Sequence, residues 1–229
     1  MIPYAEGAIT SLRREAKVVL AAAEADVLAA LLGRVAAPHE SRVTAVYFDG
    51  PAAPLARRAA ATPGDCLKVR AKAYAPDRSL APGRVVLEVK RERGGLTWKE
   101  RTWVRREEVP DAVQDVLAPS QGPLSPLVAT SYRRRVFQPS PAWRVTMDDD
   151  LGFHLAGWGL FAPAAPPWPA ALGERFAAEQ RVIVELKHEA DALPGWLAAL
   201  ARRRTPYSKF AEAVARASAR PSSIPAKGA

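Results

Sequence analysis

The sequence predicts an α+β fold that is mainly β: an eight-stranded antiparallel β-barrel with flanking helices, its charged face turned inward to make a tunnel. Three observations lead there. The first is one-sided charge along strand-like runs. Lys68, Arg70 and Lys72 alternate with Leu67, Val69 and Ala71, and Glu88 and Lys90 with Val85, Leu87 and Val89. Arg144, Thr146 and Asp148 alternate with Trp143, Val145 and Met147, and Glu185 and Lys187 with Val182, Val184 and Leu186. Side chains two apart in a strand share a face, so each run gathers its charges. The second is the count and order of such runs, about eight in mainly hairpin succession, enough to close a sheet. The third is the interspersed amphipathic helices, which need an apolar outer surface to cover. In an ordinary small barrel the apolar face fills the interior, and these helices argue for the reverse.

In chain order, residues 9 to 19 read as a strand, and the Ala/Leu-rich segment Glu24 to Val35 as a helix closed by Pro38. A strand follows from Arg42 to Asp49, then a short helix from Pro54 to Ala61, ended by Thr62, Pro63 and Gly64. Two long strands, 66 to 74 and 84 to 92, are separated by the turn-rich APDRSLAPG, and Gly94 with Gly95 joins the second to a strand at 96 to 105 as a hairpin. Glu107 to Leu117 reads as a helix with Pro110 in its first turn. Strands at 128 to 137 and 142 to 149 meet at Pro139, Ser140 and Pro141. Residues 150 to 178, rich in Ala, Pro and Trp, show no assignable period. A last strand at 180 to 187 precedes helices at 194 to 203 and 208 to 218. No repeat or linker interrupts this order, so residues 1 to 220 are expected to form a single domain and 221 to 229 a disordered tail.

A chain of 229 residues, 48% hydrophobic and 25% charged, is long enough to bury a sizeable core. A net charge of +9 favours an anionic partner without choosing between nucleotide, polyphosphate, nucleic acid and an acidic membrane surface. With Cys66 as the one cysteine, an intrachain disulfide and a thiolate zinc cluster are excluded. The first residues hold no apolar signal core, and no run approaches the roughly 20 apolar residues of a membrane span, so a soluble, cytoplasmic protein is expected. No helix-turn-helix, zinc-finger or RNP motif is present, and the aromatics are not interleaved with the basic runs as a stacking platform would be, which argues against nucleic acid. His39, His154 and His188 are too scattered to suggest a metal cluster. Tyr47 and Phe48 read as core or tunnel-mouth residues, and Trp158 and Trp168 as loop anchors.

The charged faces mix signs in tight E-x-K units, which put a carboxylate within about 7 Å of a cation on one face, as metal and phosphate together require. The motifs RREAK at 13 to 17, TAVYFD at 44 to 49, LKVRAKAY at 67 to 74, LEVKRERGGLTWKER at 87 to 101, YRRRVF at 132 to 137, RVTMD at 144 to 148, VELK at 184 to 187 and YSKF at 207 to 210 occur in an order that resembles the VTC (vacuolar transporter chaperone) domain. That domain is the polyphosphate polymerase branch of the triphosphate tunnel metalloenzyme and CYTH superfamily. The resemblance spans residues 9 to 218 and implies a tunnel that binds ATP and polyphosphate or triphosphate with Mn²⁺ or Mg²⁺.

Carried across motif by motif, the resemblance implies catalytic roles for Lys68, Arg70, Arg134, Lys187 and Lys209, and a phosphate-binding wall of Arg13, Lys17, Lys72, Lys90, Lys99, Arg101 and Arg144. Lys209 matches a family position that closes over the phosphates. Glu185, in V-E-L-K, matches the metal-binding glutamate, with Glu15 and Glu88 as further metal candidates or as salt-bridge organisers of the surrounding cations. Asp148 reads as an orienting group. Arg134 is expected to face the tunnel with Tyr132, while Arg133, Arg135 and the run 202 to 204 are expected in solvent. Many hydrolases of the superfamily open with E-x-E-x-K; here Arg13 gives R-x-E-x-K, which removes a carboxylate and adds a cation. Phosphoryl transfer is catalysed largely by positioning and charge neutralisation. The expected function is therefore polyphosphate polymerase, extending a chain from the γ-phosphate of ATP. The alternatives are a metal-dependent inorganic or nucleoside triphosphatase and a non-catalytic polyphosphate-binding module. The resemblance leaves room for a separate membrane-protein partner and a place at the inner face of a membrane.

Overall fold

The computed structural model describes residues 14–62, 64–75, 83–94, 96–116, 122–189 and 192–220. They contain strands β1 (Arg14–Leu20), β2 (His39–Asp49), β3 (Cys66–Ala75), β4 (Arg84–Arg93), β5 (Leu96–Arg105), β6 (Ser125–Ser140), β7 (Trp143–Leu155), β8 (Arg175–Glu179) and β9 (Val182–His188). The helices are α1 (Ala22–Gly33), α2 (Pro54–Ala61), α3 (Val109–Val116), α4 (Gly195–Arg202) and α5 (Lys209–Ser218), with short 3₁₀ turns at Arg106–Glu108 and Trp158–Phe161. The described residues fall into two compact units, one within Met1–Glu40, Arg133–Asp149 and Gln180–Tyr207, the other within Ser41–Tyr132, Asp150–Glu179 and Ser208–Ala229. The fold class is the expected one, mainly antiparallel β with flanking helices.

In the first unit β9 lies between β1 and β7, with Lys17 opposite Glu185 and Thr146 opposite Glu185 on its other side. The apolar alternates make the core: Val18, Leu20, Val145, Met147, Val184 and Leu186 pack with Phe137 of β6, with Leu28 and Leu32 of α1 and with Leu197 of α4. Burying such side chains supplies about 1.5 to 3 kcal/mol each. β1 begins the described chain at Arg14, so Arg13 and the expected strand residues before it lie outside the described residues, as does the tail from 221.

In the second unit β2, β3, β4 and β5 are hydrogen-bonded in that order. Gly94, at φ +56°, turns β4 into β5, a conformation glycine adopts without strain. Val69, Ala71, Val85, Leu87 and Val89 are buried on one face. Residues on the opposite face of β4 are buried too, Glu88 completely and Lys90 nearly so. An aromatic cluster of Phe48, Trp158, Phe161 and Trp168 closes another edge of this core, and the Trp168 Nε1–H donates to the Leu160 carbonyl at 3.2 Å, the anchoring expected of these tryptophans.

The stretch without a legible period carries real structure. β7 runs on to Leu155 and pairs with β8, a strand the sequence reading lacks, which brings the described strands to nine. The strand continues through Asp150, which sits at φ +48°, a left-handed conformation that Asp tolerates better than most residues. Its carboxylate accepts from Arg42 at 2.7 Å and Arg175 at 3.1 Å. The helix expected at 107 to 117 is present as α3, preceded by a 3₁₀ turn over Arg106–Glu108, and residue 117 lies outside the described residues.

Asp49 ends β2 and caps α2: its buried carboxylate accepts from the backbone N–H of Gly50, Leu55 and Ala56 at 2.8, 3.0 and 2.9 Å. A side-chain oxygen on these first-turn donors does what an N-cap does. Asp49→Ala, which strands these donors, is expected to cost about 1–3 kcal/mol in urea unfolding, and Asp49→Asn measurably less.

Candidate functional site

Strand register builds one charged face in the second unit. Arg70 lies opposite Tyr47 on β2 and Glu88 on β4, and Glu88 lies opposite Arg101 on β5. The next row is Lys68, Lys90 and Lys99, and beyond it Cys66 faces Glu92. Lys72 follows on the other side of Arg70. Each of these side chains reaches the same face because each pair stands in register.

Glu88 is the hub. Its Oε1 accepts from Arg70 through Nε at 2.9 Å and also from Nη2, while its Oε2 accepts from Lys72 at 2.9 Å and Arg101 Nε at 2.7 Å. Burial works against the charged carboxylate, but Arg70, Lys72 and Arg101 outweigh it and hold Glu88 well below the usual carboxylate range. Glu92 repeats the pattern at one end. Burial opposes its charge, yet a hydrogen bond from the Cys66 thiol at 2.9 Å, with Lys90 and Lys68, brings it down to about 2. The Cys66 thiol is pushed up in turn, first by burial and then by Glu92.

Lys72 is the strained member. Burial first, then the neighbouring Arg70, pull its ammonium down to about 8 against the upward pull of Glu88. Tyr47 adds a phenol: Arg70 Nη1 donates to its hydroxyl at 3.4 Å, and its ring stacks on Phe210 of α5 with centroids 5.0 Å apart. Burial raises the phenol, but Arg70 and Lys209 prevail and lower it. Lys209, at the start of α5, lies over the Tyr132 ring at 4.7 Å. Its placement follows from Ser208, whose hydroxyl accepts the Ala211 N–H and starts the helix there.

The first unit carries a second, more balanced face. Lys187 contacts Glu185 at 2.6 Å and Glu15 at 3.6 Å, and Lys17 contacts Glu15 at 3.6 Å. Burial disfavours the Glu185 carboxylate, but Lys187, Lys17 and Arg134 together hold it well below its ordinary range. Arg134 grips Asp148 with two parallel bonds at 2.7 and 2.8 Å, so Asp148 orients that guanidinium, as expected. The Arg144 Nε is buried with no hydrogen-bond partner among the described residues. Glu15 and Glu185, hard oxygen donors one row apart around Lys187, fit the one or two carboxylates by which Mg²⁺ or Mn²⁺ is usually held beside phosphate. No group of three or more His, Cys, Asp or Glu suited to a metal occurs among the described residues.

The sequence-predicted cations thus gather as two sets: Lys68, Arg70, Lys72, Lys90, Lys99, Arg101 and Lys209 in one unit, and Lys17, Arg134, Arg144 and Lys187 in the other. Glu88 has both oxygens engaged by cations, the salt-bridge role that the sequence left open beside metal binding. Arg135 is not in solvent: it is largely buried and reaches Asp149 at 3.1 Å, as does the more exposed Arg133. Glu92 and Cys66 were missed, although the alternation Glu88, Lys90, Glu92 in LEVKRER carries the signal for the first.

The fold is similar to that of a solved structure. The Hippeastrum protein HpAC1, reported to reveal a dominant triphosphatase activity, aligns at a TM-score of 0.53 with 13% identity, over 89% of this chain and 96% of that one. The PH1819 protein of Pyrococcus horikoshii OT3 aligns at 0.48 with 10% identity, over 90% and 98%. Residues 118–218 match the VTC domain, and YRRRVF, RVTMD, VELK and YSKF all lie within that match. Over that stretch the resemblance read from the motifs is supported; the motifs at 13 to 17, 44 to 49, 67 to 74 and 87 to 101 lie outside the match. Comparison with curated protein sequences finds no match.

Removing the hub charge tests the face directly. Glu88→Gln leaves Arg70 and Lys72 buried without their counter-charge and is expected to cost about 3 kcal/mol at pH 7 in chemical denaturation. Because the folded Glu88 carboxyl is depressed, its stabilisation is present above the unfolded value and is lost as pH falls. The gap between wild type and variant should narrow below about pH 4.

Proposed function

We propose that the protein is a metal-dependent polyphosphate polymerase that transfers the γ-phosphate of ATP to a growing polyphosphate chain. A terminal phosphate oxygen of the chain bonds to the γ-phosphorus; the bond from that phosphorus to the bridging oxygen breaks, and the bridging oxygen leaves on ADP. The observation that carries the reading is the use of carboxylates on the second unit's face. Cations outnumber them there, and Glu88 and Glu92 are both occupied by cations. Such a face holds a phosphate chain and offers no carboxylate to activate a water. The VTC domain match over 118–218 supports the same reading.

Within it, Arg70 and Arg101 fork onto phosphate oxygens, while Lys68, Lys72, Lys90, Lys99 and Lys209 act as point charges along the chain. Each charge-assisted bond contributes roughly 1.5 to 3 kcal/mol net. In the first unit, Lys17, Arg134, Arg144 and Lys187 form a phosphate-binding set of their own. Glu185 and Glu15 would hold the Mn²⁺ or Mg²⁺, which when bound neutralises charge developing on the phosphoryl oxygens. Glu88 is assigned to positioning the cations. A cytoplasmic setting belongs to this reading; no helix among the described residues is long and apolar enough to cross a membrane.

Purified protein incubated with ATP, Mn²⁺ or Mg²⁺ and a short polyphosphate primer should yield polymer and equimolar ADP, and Glu185→Gln and Arg70→Ala should each lower the rate at least about 100-fold. Orthophosphate without polymer would replace the reading with a triphosphatase. No turnover, with binding retained, would replace it with a polyphosphate-binding module.

The Lys72 ammonium supplies a pH test. It is charged below about 8 and neutral above, so affinity for inorganic tripolyphosphate should fall as pH rises through that range. Lys72→Met should bind more weakly at pH 7 and lose that part of the pH dependence, as read by titration calorimetry from pH 6.5 to 9.5.

A further inference from the structure

The charged face of the second unit ends in aromatic side chains that no phosphate contact requires. Trp103 pairs with Val86 across β4 and β5, two residues along β5 from Arg101, so it stands on the same face as Arg101 and Glu88. Tyr74 lies two residues beyond Lys72 on β3, also on that face, and the Lys72 ammonium sits 5.6 Å from its ring centroid. Both aromatic residues are half-buried, whereas Val69, Ala71, Val85, Leu87 and Val89 of the opposite face are buried in the core. Trp103 and Tyr74 therefore keep ring surface at the end of a cationic face, where a bare phosphate chain finds no use for it.

Resting on the reading of this face as a phosphate site, we infer that Trp103, with Tyr74, is the nucleobase platform of a nucleoside triphosphate subsite. One row of the sheet, about 6.8 Å, separates Trp103 from Arg101. A triphosphate held by Arg101, Arg70 and Lys72 directs its nucleoside toward that end. A ring offers the base a π-face and no hydrogen-bonding code, so recognition is of a nucleobase as such, with little preference among bases. The same cations hold polyphosphate, so the aromatic end is what distinguishes the nucleotide donor from the polymer.

The test compares two ligands of like charge, ATP and inorganic tripolyphosphate, by titration calorimetry on the full chain without divalent ion, so that no turnover intervenes. Trp103→Ala should weaken ATP roughly tenfold and leave tripolyphosphate within about twofold, and Trp103→Phe should restore most of the ATP affinity. Tripolyphosphate binding doubles as the check that the variant is folded. Unchanged ATP affinity in Trp103→Ala, or an equal loss for both ligands, overturns the inference while the phosphate site stands. Failure of the wild type to bind either ligand overturns the phosphate reading and the inference with it.

Discussion

The carboxylate of Glu88 is the constraint on which the charged face depends. Lys72 is almost wholly buried and Arg70 mostly so, on a face whose next row is again cationic. Two like charges a few ångströms apart repel by several kcal/mol in a partly buried setting, so such cations do not share a face without a counter-charge among them. Glu88 is completely buried because β4 is covered on both sides, by apolar packing on one and by the gathered cations on the other. Its two oxygens are shared among three cations, which fixes where each guanidinium and ammonium points. Removal of one partner of such a set leaves uncompensated buried charge, whereas the intact set is a preorganised array. Glu92, with Lys68, Lys90 and the Cys66 thiol, repeats the device at one end of the same face.

Each face, taken by itself, has its own chemistry. The face built on β2 to β5 has carboxylates only where cations occupy them, so its remaining capacity is for anions. The face built on β1, β7 and β9 has carboxylates nearly matched to cations. Glu15 and Glu185 retain partial exposure around a shared Lys187, and Arg144 keeps an unmet buried donor. One arrangement gathers cations around fully engaged carboxylates, and the other sets partly exposed carboxylates beside its cations. Both arrangements are built from strand alternation.

Strand alternation is also why much of the fold was legible. The charged runs at 67 to 72 and 85 to 90 lie in the strands read for them, and α2 begins at Pro54 and ends at Ala61 as its punctuation implies. Legibility failed where the signals are not periodic. β8 is five residues, RFAAE, with half-buried side chains on both faces, and its partner β7 reaches it by passing through the left-handed Asp150. Neither leaves a two-residue rhythm. The charge partners were less legible than the charges. That Lys68, Arg70 and Lys72 share a face follows from spacing, but that Glu88 joins Arg70 to Arg101 depends on the register of β3, β4 and β5. Arg135 shows the converse: its place in an arginine run suggested solvent, and a bond to Asp149 across the β6–β7 hairpin takes it inside.

Lys72 shows how near the cationic face stands to its limit. With Glu88 already lowering the cost, burial and Arg70 still pull its ammonium to about 8. A phosphate ligand reverses the balance, since an anion beside Lys72 favours the charged form. An anion bound there would therefore be coupled to the protonation of Lys72 near and above pH 8. Below about pH 8 the folded protein carries this charge itself, held by Glu88 against burial and Arg70.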